Sequence, residues 1–291
     1  MKKFIAFIIF PIIISACEEE IPTDNLNYTE KLVVNEYFSN TAPFSIEVSV
    51  SRDAYKKPGP FVLDPSRVNV VLTEDGVPMD WFYNDGVFNS IANPKPGKVY
   101  NLSVTSNTYG DVSTKGVLPG NIAGKSSTYI PDGGKDLQGN LSDLLKIKFT
   151  DNGTTKDYYK LNFYYYDESK DKYFAFDFEL KDILSAVTTL KTRDGGFLFS
   201  DEAFNGKEKE FTAVAPFGFV AGNTGPKYLI QIQRLNEDYW KYNTSIELYR
   251  GTLNGGSSSS NIFGGAVVVY TNITNGLGIF AGSNIESDTL R

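Results

Sequence analysis

A two-residue hydrophobic period recurs through the N-terminal third of the chain, and no other feature limits the fold as tightly. Phe44, Ile46, Val48 and Val50 alternate with Ser45, Glu47, Ser49 and Ser51. Successive side chains of an extended strand point to opposite faces, so this order loads one face with apolar groups and leaves the other to water. Val68, Val70 and Leu72 repeat the pattern ahead of a turn at Asp75-Gly76, and Tyr100, Leu102 and Val104 repeat it within PGKVYNLSVTS. Trp81 to Tyr83 and Val87 to Ile91 flank Asn84-Asp85-Gly86. That is a hairpin signal, because glycine accepts the positive φ that a tight turn demands. A last strand around Val112 to Leu118 ends at Pro119-Gly120.

Strands that are apolar on one face need a second sheet to cover them. About seven of them between residues 30 and 119 predict a β-sandwich of immunoglobulin or fibronectin type III kind. The phrase PGKVYNLSV within it also resembles carboxypeptidase-regulatory-like sandwiches. Residues 120–140, rich in Gly, Ser and Asp, read as a loop linking two domains. A second β-rich domain is expected over 141–291, with longer strands at Leu144 to Thr150, Tyr158 to Asp167, Lys172 to Leu180 and Tyr228 to Gln233. The run LNFYYYDE is aromatic on both faces, which predicts a strand covered on both sides or placed at an edge contact. One stretch breaks the rhythm: Leu235, Tyr239, Tyr242, Ile246 and Tyr249 recur at helical spacing. Asn236 is placed to cap it, Glu237 and Asp238 fall in the first turn, and Gly251 follows, predicting one substantial helix over about 235–250. Its aromatic stripe reads as core packing. Residues 253–261 read as a flexible loop, with Ala266 to Tyr270 and Leu277 to Phe280 as closing strands. The fold class is mainly β.

The start of the chain, MKKFIAFIIFPIIISAC, reads differently. Lys2 and Lys3 precede an apolar stretch from Phe4 to Ile14, and the small residues Ser15 and Ala16 precede Cys17. Residues 1–16 have the charge, apolar length and cleavage chemistry of a secretory signal and are too short to span a bilayer. Ile14-Ser15-Ala16-Cys17 resembles the bacterial lipobox, which is cleaved between Ala16 and Cys17 and leaves an acylated, palmitate-bearing cysteine as the new N-terminus. The competing reading is an ordinary signal peptide with a chance cysteine, but Cys17 is the sole cysteine and falls where the lipobox needs it. No intrachain disulfide can then form, so stability must come from an ordinary core. Residues 17–29 read as a tether. Its acidic run Glu18-Glu19-Glu20 suffices as a solvated spacer, and it also resembles the surface-export signal of many Bacteroidetes lipoproteins.

The remaining composition excludes more than it assigns. A formal charge of −7 and a pI near 4.9 argue against nucleic acid, whose phosphates demand a basic face. The 18 Tyr, 21 Phe, 26 Gly and 13 Pro suit short strands joined by tight turns. The chain has no histidine, which removes Ser-His-Asp and Cys-His machinery, histidine zinc sites and the usual proton shuttle near neutral pH. GNTGP and NGGSSSS lack the lysine and helix of a phosphate loop. Carboxylate pairs such as Asp167 with Glu168, Asp177 with Glu179, or Asp201 with Glu202 leave glycoside hydrolysis open as a reading. Asp132, Asp136 and Asn140 offer oxygens within DGGKDLQGN as calcium candidates, without EF-hand spacing or its bidentate Glu, against a plain polar turn. Asp151-Asn152-Gly153 and Asp194-Gly195-Gly196 read first as turns. Asp288-Thr289-Leu290 resembles the Bacteroidetes O-glycosylation triplet, with Thr289 as acceptor.

Four phrases in order, EKLVVNEYFSN, FLFSDEAFNGKEKEF, RLNEDYWKYNTSIELY and YTNITNGLGIF, together with the lipobox, resemble the Bacteroidetes outer-membrane lipoproteins grouped as domain of unknown function 4249. The stretch SSSSNIFGG departs from the apolar-Pro pair common there. The resemblance implies an N-terminal sandwich, a C-terminal β domain and the company of TonB-dependent outer-membrane receptors, and it carries no established catalytic residues or cofactor. The expectation is a non-enzymatic lipoprotein on the outer membrane, facing the cell surface, that assists or binds such a receptor in nutrient uptake. The alternatives are capture of a glycan or peptide by exposed aromatics, and an acid-pair glycoside hydrolase.

Overall fold

The alternating segments form strands with the expected faces inward. The computed structural model describes residues 28–53, 63–176, 178–181, 189–215, 228–253 and 268–290. Its first strands are β1 (Leu32–Ser39), β2 (Ser45–Val50), β3 (Asn69–Glu74), β4 (Val77–Pro78), β5 (Trp81–Asn84), β6 (Val87–Ser90), β7 (Val99–Thr105) and β8 (Val112–Val117). β4-β3-β7-β8 make a four-stranded sheet that covers the run β1-β2-β6-β5. Between them lies a core of Val34, Phe38, Phe44, Ile46, Val48, Val70, Leu72, Tyr100, Leu102 and Val104. Both Asp-Gly turns adopt the left-handed backbone that two-residue hairpins require, with φ of +49° and +85° at Asp75 and Gly76, and +49° and +88° at Asp85 and Gly86.

The chain continues through β9 (Ala123–Lys135), β10 (Leu141–Thr150), β11 (Tyr158–Asp167), β12 (Lys172–Ala175), β13 (Glu179–Leu180), β14 (Thr189–Lys191), β15 (Phe197–Ser200), β16 (Glu208–Val214) and β17 (Tyr228–Leu235). Helix α1 (Glu237–Leu253) and strand β18 (Leu277–Leu290) follow. The small sheet β13-β16-β10-β9 packs over β11, β15 and β17 around a second core that includes Leu145, Ile147, Phe149, Tyr159, Leu161, Phe163, Phe199, Phe211 and Ile232. The first six residues of β11, Tyr158 to Phe163, are buried on both faces, as its two-sided aromatic pattern predicts. Tyr159, Leu161 and Phe163 face the second core. On the other face Tyr158 stacks on Trp240 of α1 at 5.1 Å.

One sheet runs through both halves. β18 pairs in parallel with β1, from Val33 opposite Leu277 to Ser39 opposite Ser283, and antiparallel with β17 from Leu235 opposite Ser283 to Tyr228 opposite Leu290. The resulting order is β14-β15-β11-β17-β18-β1-β2-β6-β5, with β12 beside β11. Close backbone approach at the parallel seam requires glycine at 278. Its φ is +101°, and a Cβ there would sit 2.0 Å from the Val34 carbonyl oxygen.

Several expectations need correction. Residues 123–135, expected within a loop, form the edge strand β9, paired with β10. Edge strands tolerate Gly, Ser and Pro, and β9 buries little, so its apolar signal is faint. Lys172 to Leu180 is divided between β12 and β13, which belong to different sheets. Residues 268–270 form no strand, and Val268 is exposed; 266 and 267 lie outside the described residues. β18 extends ten residues past Phe280 through a polar stretch, because its side chains find partners in the segment before and within β9. Glu286 accepts the Ile122 amide at 2.8 Å, and Asp288 takes Lys125 at 2.5 Å and the Ser127 hydroxyl at 2.6 Å. Helix α1 begins as expected, with Asn236 Oδ1 accepting the Tyr239 amide at 2.9 Å. It runs through Gly251 to Leu253, since Gly251 does not adopt the positive φ of a helix-ending glycine. Leu235, placed on the helix stripe, belongs to β17, and Tyr249 at the far end of the stripe is exposed, as is its neighbour Leu248.

Candidate functional site

Residues Ala16, Cys17, Glu18, Glu19 and Glu20 lie outside the described residues, as does Asp177. Among the described residues, no helix is long and apolar enough to cross a membrane. Thr289 is exposed on β18 opposite Leu229. The calcium candidates Asp132, Asp136 and Asn140 lie in the β9–β10 hairpin. Asp136 Oδ1 accepts the amides of Gln138 and Asn140 at 3.0 and 2.8 Å, and Oδ2 accepts the Asn140 side-chain amide at 3.0 Å. That last bond holds the Asp136 carboxyl below its ordinary range. Asp132 turns through a φ of +50° four residues earlier, its amide donating to Asp143 at 3.1 Å. The Asp136 oxygens thus close a turn. Asp167 likewise caps its own turn through Ser169, and Glu202 pairs with Lys156 at 2.5 Å.

The fold gathers a different set of carboxylates. Asp151 follows β10, Asp157 precedes β11 and Asp201 follows β15, and one oxygen from each lies within 4.8 Å of the other two. All three are buried, Asp201 fully. Asp151 Oδ1 accepts the Tyr159 hydroxyl at 2.6 Å and Oδ2 the Gly206 amide at 2.8 Å. Asp157 Oδ2 pairs with Arg234 Nη2 at 2.6 Å, and Oδ1 accepts the Thr155 hydroxyl at 3.1 Å. Asp201 Oδ2 accepts the Asp157 amide at 2.9 Å, while its Oδ1 has no hydrogen-bond partner. Burial, then the charges of Asp151 and Asp157, raise the Asp201 pKa. Two close glycines let the loops meet here: a Cβ on Gly153 would lie 2.7 Å from the Gly206 Cα. Reading Asp151-Asn152-Gly153 as a turn is correct for the backbone but misses the cluster, because 151, 157 and 201 share no local pattern.

The outward-facing chemistry lies at the end of the long sheet. β5 is its last strand, and there Trp81 and Phe82 remain 37% and 51% exposed on its two faces. Val77 and Ile91 beside them are more exposed still. Glu74 with Lys95 at 3.1 Å and Asp75 with Lys98 at 2.7 Å flank the adjoining shallow cleft. An apolar centre with a charged rim on an open strand edge has the anatomy of a contact surface. Phe38, Phe44, Tyr100, Tyr159, Phe199 and Phe280 are fully buried, whereas Tyr28, Tyr37 and Tyr249 are exposed away from this edge.

These features define a mainly β protein of several packed sheets, with one described helix and an open aromatic edge. More particularly, the chain belongs to the DUF4249 family, a domain of unknown function whose model matches residues 18–289. No curated protein matches it.

Proposed function

We propose that the protein is a non-enzymatic lipoprotein, anchored to the outer membrane through Cys17 and facing the cell surface, that serves as accessory or binding partner of a TonB-dependent receptor in nutrient uptake. The observation that carries the contact role is the exposure of Trp81 and Phe82 on the edge strand β5, with Val77 of β4 and Ile91 after β6 also exposed. Apolar side chains of this size on an open strand edge invite either aggregation or a partner. The anchor rests on the signal pattern, on Cys17 as sole cysteine and on the acidic run behind it. The absence of histidine supports action by contact rather than catalysis. The aspartates that cluster in the fold are closed to water, which gives an acid-pair hydrolase no support from that cluster.

The test is a mild-detergent pull-down of the native lipoprotein, alongside Phe82→Glu. A TonB-dependent receptor should co-purify with the parent and be lost with the variant. If none co-purifies and deletion leaves uptake intact, the reading fails. The same two aromatics favour a second reading, direct capture of a glycan or peptide by stacking on Trp81 or Phe82. Saturable quenching of tryptophan fluorescence by glycan or peptide mixtures, without any receptor, would support it.

A further inference from the structure

Three buried carboxylates and one guanidinium leave the Asp151, Asp157 and Asp201 cluster with two unbalanced negative charges when all are ionised. Isolated charge in a dry interior is costly, so such a group either takes up protons or takes up a cation. A second observation points to the cation. Asp201 is fully buried, and its Oδ1 is left without any donor while every other carboxylate oxygen of the cluster accepts one. A buried acceptor with no donor and two carboxylates beside it suits an ion ligand.

We infer that Asp151, Asp157 and Asp201 bind a divalent cation of calcium type, with Asp201 Oδ1 as its principal ligand. The donors are all oxygens, which selects a hard cation over zinc or copper. Two ligands on opposite sides of one calcium ion stand about 4.8 Å apart at roughly 2.4 Å each, and the clustered oxygens fall within that span. A charge of +2 brings the group, Arg234 included, to neutrality. Magnesium fits less well, because it keeps its waters and demands a tighter octahedron, and the aspartates are closed to solvent. The ion would tie together the end of β10, the start of β11 and the end of β15, so its role is to clamp the second core. With Arg234 already holding Asp157, the affinity belongs with weak structural sites, on the order of 10⁻⁴ to 10⁻³ M.

Terbium, a luminescent stand-in for calcium, tests this directly. The Tyr159 hydroxyl lies 2.6 Å from Asp151 Oδ1, so tyrosine excitation should sensitise a bound terbium ion. The full chain, purified in mild detergent and stripped with chelator, should show saturable terbium emission that millimolar calcium displaces. Asp201→Asn, which keeps the shape and removes the charge, should weaken binding at least roughly tenfold, since ligand charge sets calcium affinity. Glu202→Gln, its exposed neighbour, should leave binding unchanged. Emission that calcium does not displace, or that survives in Asp201→Asn, overturns the assignment. Should Asp201→Asn fail to fold, the parent decides: its melting temperature after chelation must rise by a few degrees with calcium at about 10 mM, roughly ten times the weakest dissociation constant. No rise means that the cluster is neutralised by protons and holds no ion.

Discussion

Glu36 is the sharpest test of how the first core handles charge. It lies on β1 between Val34 and Phe38, facing inward, and is only 6% exposed. Its carboxylate takes the Ser45 amide at 3.3 and 3.2 Å, long for such a bond. Burial raises its pKa from 4.5 to about 7, and the Ser45 amide, pulling the other way, does not offset this. The folded-state value lies above the unfolded one, so the fold favours the protonated acid. That contribution is fully present below about pH 4.5 and is lost as pH rises through about 7. At 1.36 kcal/mol per pKa unit, the gap amounts to about 3 kcal/mol. Glu36→Gln keeps an oxygen for the Ser45 amide and cannot ionise. Urea denaturation should therefore find it more stable than the parent by about 2–3 kcal/mol near pH 8, and nearly equal near pH 4. A difference of the same size at both pH values, or a variant less stable near pH 8, would show that Glu36 is not held as argued.

Other perturbations address the core, the seam and the anchor. Phe38 is 1% exposed with its ring centroid 4.7 Å from Phe280 and 5.0 Å from Phe44. Phe38→Ala should cost about 3–5 kcal/mol in urea denaturation, and a loss below ~1 kcal/mol would mean that this core is loosely packed. Gly278→Ala forces a Cβ into the Val34 carbonyl. Hydrogen exchange at the amides of residues 33–39 should then accelerate while the β9–β10 hairpin stays protected; uniform protection would contradict the parallel seam. Cys17→Ala should abolish acylation, so intact-mass analysis should lose the lipid increment and the protein should leave the membrane fraction; unchanged membrane retention would remove Cys17 as the anchor.

Period-two segments were legible because each of those strands keeps one face in the core and one in water. The Asp-Gly turns were legible because their left-handed backbone is itself a chemical demand on the sequence. β9 and the polar half of β18 escaped for opposite reasons. β9 lies at an edge and buries too little to need apolar residues. β18 is central, but Glu286 and Asp288 are satisfied by Ile122, Lys125 and Ser127, residues more than 160 positions earlier. At the candidate sites the same division holds. DGGKDLQGN displays its oxygens locally, and the hairpin turn uses Asp136 and Asn140 locally.

The sequence by itself determined the mainly β class, the sandwich pattern and the start of the helix. Each of these is encoded in residues a few positions apart. Only the tertiary structure decided that the last strand would join both halves into one sheet. It alone left Trp81 and Phe82 at that sheet's open end and brought Asp151, Asp157 and Asp201 together. Strand pairing across hundreds of residues is set by which faces and edges remain unsatisfied after local structure has formed, and no window along the chain contains that information.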